Sequence, residues 1–294
     1  MFRIGVPPKR AMADAFDHCE QLVRAGDKDR FLATLFAPQK YRRALFALYA
    51  FNLEVARIRE QAREPLPGEI RLQWWRDVLA GAGRGEIDAN PVAAALRDVV
   101  VRYRLPPRAL MDLIDARTFD LYDEPMGSVE QLEHYARRTA SAPIELAARI
   151  LSDARDPNIG VLAGHAGIAY AIAGLLRALR FHAARGQLYL PADVMQRYGA
   201  DPADVFAGKA TTELRAALAE LRLRARQHLG AARNLLVTAP PEVVPAFLPI
   251  ALVKPVLNRM ERRGYQPFSP SDVPQWRRQW VLWRAARSGL CKSL

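Results

Sequence analysis

Apolar residues recur three and four positions apart along almost the whole chain, while alternating runs of β-branched residues are scarce. This pattern predicts an all-α protein. Helices are expected at about 10–24, 38–60, 68–81, 90–103, 106–121, 128–151, 158–184, 211–237, 242–264 and 271–287. Breakers punctuate them: Pro65, Pro67 and Gly68 after the second, Asn90 and Pro91 at the start of the fourth, Pro106 and Pro107 before the fifth, and Asp156 and Pro157 before the seventh. Proline suits a helix's first turn and not its middle, because it lacks an amide donor and fixes φ. No long linker, low-complexity stretch or fixed-period repeat divides the chain, so one helical domain is expected.

Two of these helices combine apolar stripes with arginine. Over 211–237, Leu214, Leu218, Leu221, Ala225 and Leu229 share a face and Arg215, Arg222, Arg226 and Arg233 lie away from it, which predicts a buried stripe beneath a solvated basic face. In the last helix Trp276, Trp280 and Trp283 recur at i, i+4 and i+7 among Arg277, Arg278, Arg284 and Arg287. Core packing is the default reading of such a stripe. The other reading is a membrane or partner surface in which Trp276, Trp280, Trp283, Arg277 and Arg284 make the contacts.

Composition narrows the classes. At 294 residues, 50% hydrophobic and 25% charged, dominant disorder is excluded. No segment is expected to span a membrane or to act as a secretory signal. Cys19 and Cys291 are the two cysteines, too few for a disulfide framework or a cysteine metal cluster, and a reducing compartment is expected. The formal net charge of +12 favours an anionic partner. With no recognisable nucleic-acid motif, nucleic acid is not the expected one.

Local signatures of common chemistries are missing. The five histidines, at 18, 134, 165, 182 and 228, form no HxxxH or HExxH pair, and there is no P-loop, GxGxxG turn or GxSxG elbow. Two acidic groupings remain: Asp112, Asp115, Asp120, Asp123 and Glu124, and the pair Glu54 and Glu60. Asp112 and Asp115 share a helical face, where a solvated acidic surface is the default and a shared cation the sharper reading.

Two segments read together carry a family resemblance. Residues 41–51 (YRRALFALYAF) resemble the helix preceding the first aspartate-rich motif of squalene and phytoene synthases. Residues 167–177 (GIAYAIAGLLR), continuing to 187–191 (QLYLP), resemble the region of their second. The resemblance implies an all-α, isoprenoid-synthase-type helical bundle, a single domain over 15–287 around a central cavity, with 1–14 an extension and 288–294 a tail. In that family two aspartate-rich helices hold magnesium against a substrate's diphosphate. A diphosphate leaving group needs divalent cations, and hard cations need oxygen ligands projecting from one helical face.

This chain departs from both motifs. Where the family reads Asp-Asp-x-x-Asp it has Ala56, Arg57 and Glu60, and where the family reads Asp-x-x-x-Asp it has Ala178 and His182. Asp27, Asp29 and Phe31 stand where family members carry small residues ahead of the first motif, and Arg57 and Arg180 bring positive charge to the place of a cation. These departures, with 46–54 (FALYAFNLE), 72–75 (LQWW) and 176–182 (LRALRFH), are similar to the branch of the family that serves assembly of mitochondrial complex I.

The resemblance therefore implies a protein with no catalytic residue, metal or cofactor, acting as an assembly or accessory factor for respiratory NADH dehydrogenase. Its implied partners are respiratory-complex subunits or assembly factors, an isoprenoid or other lipid as candidate ligand, and an anionic membrane surface. Its implied location is cytoplasmic, peripheral at the inner face of the cytoplasmic membrane. Candidate cavity residues are Tyr49, Glu54, Arg57, Glu60, Tyr135, Arg177 and His182, with Glu54 or Glu60 the expected partner of Arg177. The alternative is an active magnesium-dependent prenyltransferase that condenses isoprenoid diphosphates head to head, with Glu60 and acids of 112–124 forming an altered magnesium site.

Overall fold

Helix starts fall where the sequence supplies caps. Asp27 Oδ1 accepts the Arg30 amide at 3.0 Å, Asn90 Oδ1 accepts the Ala93 amide at 2.9 Å just ahead of Pro91, and Thr211 Oγ1 accepts the Leu214 amide at 3.2 Å. Each satisfies an amide that has no partner within its own helix. The computed structural model describes residues 9–62, 64–82, 89–122, 124–269 and 273–294. Every regular element among them is helical, as the periodicity predicts. The chain divides into two compact units, Met1–Leu121 with Leu146–Pro157 and Tyr122–Glu145 with Asn158–Leu294.

The first unit holds α1 (Lys9–Gly26), α2 (Lys28–Thr34), α3 (Gln39–Gln61), α4 (Pro65–Ala80), α5 (Pro91–Arg102) and α6 (Pro107–Arg117). Every residue from Ala44 to Leu53 of α3 is buried. A helix buried all round lies inside its unit, and here α1, α4 and α5 pack around α3.

The second unit begins with α7 (Val129–Ala136), a π-helical turn (Arg137–Ser141) and the start of α8 (Ala142–Leu151), whose end belongs to the first unit. It continues with α9 (Gly160–Arg177), α10 (Leu179–Ala183), α11 (Ala192–Tyr198), α12 (Pro202–Phe206), α13 (Thr212–Leu236), α14 (Val244–Phe247), α15 (Val253–Met260), α16 (Gln275–Ser288) and α17 (Leu290–Ser293). Its centre is α9 packed on α13. A Cβ on Gly167 would overlap the backbone and side chain of Ser141, so glycine there lets the π turn seat against α9, where Ser141 Oγ donates to the Gly164 carbonyl at 3.2 Å.

Three expected helices are more broken than their periodicity suggests. The 128–151 helix is interrupted by the π turn, whose extra residue re-aims the chain, and the 158–184 helix splits at Ala178. The 242–264 helix becomes alternating α and 3-10 turns over Pro241–Met260, because Pro245, Pro249 and Pro255 each remove an i to i−4 hydrogen bond. Two segments, Gly160–Arg177 and Pro241–Met260, are long and apolar enough to cross a membrane by length and composition, and more than half of each is buried inside the fold. Core helices, mostly buried, pass the same test.

The two arginine-rich helices also differ from expectation. The α13 stripe is buried as predicted, but its basic face is not simply solvated: Arg215 donates to the Tyr265 carbonyl at 2.7 Å and to Gln266 at 2.8 Å, and Arg226 binds Glu261 and Asn258. On α16, Trp276, Trp280 and Trp283 are 69%, 50% and 49% exposed, so the core-packing reading fails. Leu282 and Ala285 are the buried residues of α16, which rests on the Leu248–Leu252 turn and α17.

Candidate functional site

The first motif lies in the last turns of α3. Ahead of it Asp27 pairs with Arg30 at 2.7 Å, Arg30 reaches to 5.5 Å from the centre of the buried Tyr49 ring, and Phe31 stacks on Phe46 at 5.5 Å. The stretch where small phosphate-binding residues would stand is thus filled by an aromatic stack and a closed ion pair. Below it opens a cleft of about 300 Å³ lined by Glu54, Arg57, Arg71, Trp74, Trp75 and Asn90, among others. A Cβ on Gly26, the last residue of α1, would overlap Leu53 Cδ2 and come within 2.8 Å of the Arg57 guanidinium, so glycine there leaves room for both of these cleft-lining side chains. Trp75 is buried edge-on against Phe51, with ring centres 5.0 Å apart, whereas Trp74 is half-buried at the wall.

Burial pushes the Glu54 carboxyl up to about 6. Burial and then the Glu54 charge push the Cys19 thiol up to about 12, which makes it an inert packing residue rather than a nucleophile. Cys19 and Cys291 are both free. Glu60 is exposed on the last turn of α3 and does not line the cleft. A larger cleft of about 500 Å³ in the same unit, between Lys40, Arg43, Arg102 and Tyr103, holds no motif position.

The second motif lies in the second unit, at the break between α9 and α10. Ala178 forms the break itself. His182 meets the ring of the buried Tyr189 edge-on at 4.6 Å, and Tyr135 meets the same ring at 5.9 Å, so two predicted cavity residues are joined through Tyr189. Arg177 is half-buried at the end of α9. Arg180 lies 4.1 Å over the exposed Phe181 ring.

Deeper in this unit is a network that residue spacing does not announce. Arg224 Nε donates to Glu133 Oε1 at 2.7 Å, His228 Nε2 lies 3.0 Å from the same oxygen, and His228 Nδ1 lies 2.9 Å from His165 Nδ1. A carboxylate only accepts, so His228 donates through Nε2, and the Nδ1 to Nδ1 contact requires one of the two rings to donate and the other to accept. Burial, then the His228 and Arg137 charges, hold His165 below the usual histidine range. For Glu133, burial pushes the carboxyl up, but the hydrogen bonds from Arg224 and His228 outweigh it and leave it below the ordinary range. The three helices involved place these groups far apart in sequence, so no motif could have joined them.

Magnesium does not fit these residues. Ala56, Arg57, Ala178 and His182 leave Glu60 as the lone motif acid. Of the acids offered as substitutes, Asp115 binds Arg76 at 2.8 Å and Asp120 binds Arg117 at 3.0 Å, while Asp123 lies outside the described residues. Among the described residues no three His, Cys, Asp or Glu side chains converge on a point that could hold a metal ion.

The sequence profile of squalene/phytoene synthase matches residues 23–284. The chain belongs to the squalene/phytoene synthase family. Relatives include the human protein named NADH dehydrogenase (ubiquinone) complex I, assembly factor 6, which is 31% identical over 256 residues spanning 87% of this chain and 77% of the relative. The 15-cis-phytoene synthase of Synechococcus elongatus is 26% identical over 295 residues, 94% of each chain. Among solved structures, a ligand-bound dehydrosqualene synthase superposes with a TM-score of 0.80 over 97% of this chain and 99% of its own at 20% identity. The squalene synthase HpnC from Alicyclobacillus acidocaldarius gives 0.75 over 89% and 98% at 23% identity. Likeness at these identities shows the fold, which is the all-α isoprenoid-synthase type that the sequence implied. Within the squalene/phytoene synthase family this chain keeps the helices and, of the acids of the metal motifs, Glu60 alone.

Proposed function

We propose that this protein is a non-catalytic squalene/phytoene synthase relative that serves as an assembly or accessory factor for respiratory NADH dehydrogenase. The observation that carries the reading is the replacement of both carboxylate motifs by Ala56, Arg57, Ala178 and His182, without a substitute acid cluster among the described residues. Ionising a prenyl diphosphate needs divalent cations, and a guanidinium in the motif repels them. The 31% identity to a human protein named as a complex I assembly factor supports the role. Its partners on this reading are subunits or assembly factors of the respiratory complex, met at the cytoplasmic face of the membrane that holds it.

The test has two arms. Purified protein incubated with magnesium and farnesyl or geranylgeranyl diphosphate is expected to release no diphosphate and form no lipid product. Deleting the gene in its own host is expected to lower the amount of assembled NADH dehydrogenase on native gels and its NADH oxidation. Product from the unmodified protein would establish the prenyltransferase alternative, and normal assembly in the deletion strain would sink the accessory role.

A further inference from the structure

The exposed face of α16 is unexplained by the loss of catalysis. At 100° per residue, Trp276, Trp280, Trp283 and Arg287 fall within about 60° of arc, roughly opposite the buried Leu282 and Ala285. The three indoles are half-exposed or more, and over seven residues they span about 10 Å of helix axis. Arg284 lies 5.3 Å from the centre of the Trp280 ring, and Arg287 lies 5.4 Å from that of Trp283. From Val273 to Leu294 the chain carries Arg277, Arg278, Arg284, Arg287 and Lys292 and no aspartate or glutamate.

We propose that α16 seats this protein on an anionic lipid bilayer, lying in the plane of the headgroups. Charge complementarity selects the occupant, since an acid-free basic face has its counterpart in a layer of phosphates. The aromatic type selects the depth. Indole combines an apolar ring with one N–H donor, so it settles at the boundary between acyl chains and water rather than inside a dry core. The guanidiniums over Trp280 and Trp283 travel with those rings and arrive at the level of the lipid phosphates. The burial of Leu282 and Ala285 keeps the helix folded on the protein before lipid is met, so binding carries no cost of forming the helix.

Vesicle flotation tests this with the full chain. Phosphatidylcholine vesicles containing phosphatidylglycerol are expected to carry the protein upward, and pure phosphatidylcholine vesicles are expected to leave it behind. The triple variant Trp276→Ala/Trp280→Ala/Trp283→Ala should lose about tenfold or more in partitioning. Arg277→Gln/Arg284→Gln/Arg287→Gln should lose about a hundredfold. Circular dichroism melts check that both variants fold, and Trp280→Ala alone gives a milder second reading. Lipids brominated near the headgroup should quench the tryptophan emission of the parent and not that of the triple-Trp variant. The idea is overturned if anionic vesicles carry no protein, if neutral and anionic vesicles carry it equally, or if the Trp variants float like the parent. It is also overturned if loss of the indoles abolishes self-association in light scattering while leaving flotation intact, which would assign the face to a second copy. None of these readouts depends on complex I, so the lipid inference and the assembly role stand or fall separately.

Discussion

α13 and α16 share a sequence signature, an apolar stripe beside a run of arginines, and meet opposite fates in the same unit. On α13, Glu133 takes Arg224, Glu261 and Asn258 take Arg226, and the Tyr265 carbonyl takes Arg215. Burial pulls Arg222 down from its ordinary value. Arg215, Arg224 and Arg226 each become a bridge to another element, because the chain brings an acceptor back to them. On α16, Arg284 and Arg287 lie on indole faces and the whole 273–294 segment is without acids. Arginine patterning thus marks a face as polar, and only the acceptors brought to it decide whether it faces the protein or something else.

The largest effect should come from the buried side of α13. Leu229 is 4% exposed, and Leu229→Ala should cost about 2–5 kcal/mol in urea unfolding, through lost burial and a residual cavity. A smaller cost would mean that α13 packs more loosely on α9 than its stripe implies.

Next comes Glu133→Ala, which strands Arg224 and His228 and should cost about 2 kcal/mol at neutral pH. The same network sets a pH dependence. His165 titrates below its ordinary value in the fold because of burial and the nearby His228 and Arg137 charges, so its neutral form contributes stability above about pH 6.5 that is lost as pH falls through the lowered folded value. Urea titrations at a series of pH values should show that loss in the parent and a flatter profile in His165→Gln. An unchanged profile would remove His165 from the account.

Glu54 runs the other way. Its carboxyl is raised to about 6 by burial, so folding penalises the ionised form, and the penalty is present above about pH 6 and relieved as pH falls toward 4.5. Allowing for solvent screening, Glu54→Gln should stabilise by about 1 kcal/mol at pH 7.5, or about 2 °C in Tm, and by nothing measurable at pH 4. A thermal melt at each pH checks both the sign and its disappearance.

The smallest effect should fall on α16 itself. Trp280→Ala should leave stability within about 0.5 kcal/mol, since half the ring is already in water. A cost comparable to that of Leu229→Ala would show that the indole packs on protein, and would erase the contrast between the two helices.

Much of the first-motif region was legible beforehand. The α3 helix, the proline-bounded starts of α4, α5 and α6, and the missing acids at positions 56, 57 and 178 follow from residue identity alone. Tyr135 and His182 were marked as cavity residues, but their meeting through Tyr189 was not, because a contact between separate helices leaves no periodic trace. Glu60 was marked with Glu54 as one pair, yet the two differ in exposure, six positions on one helix being enough to turn a side chain off the cleft. The Glu133, His228 and His165 chain was invisible for the same reason as the Tyr189 contacts, its members being spread over α7, α13 and α9.

Sequence by itself determined that this protein is helical, where proline cuts its helices, and that Ala56, Arg57, Ala178 and His182 stand at the positions of the family's metal motifs. Those are local or purely chemical facts, and no packing can restore an oxygen ligand to an alanine. Tertiary structure decided which of two apolar faces of α16 is covered, which arginines of α13 find acceptors, and which carboxylate is raised and which lowered. A spacing of three and four says that one side of a helix is apolar, but burial and charge pairing depend on what arrives from elsewhere in the chain. On α16, Leu282 and Ala285 received the neighbour and the tryptophans did not.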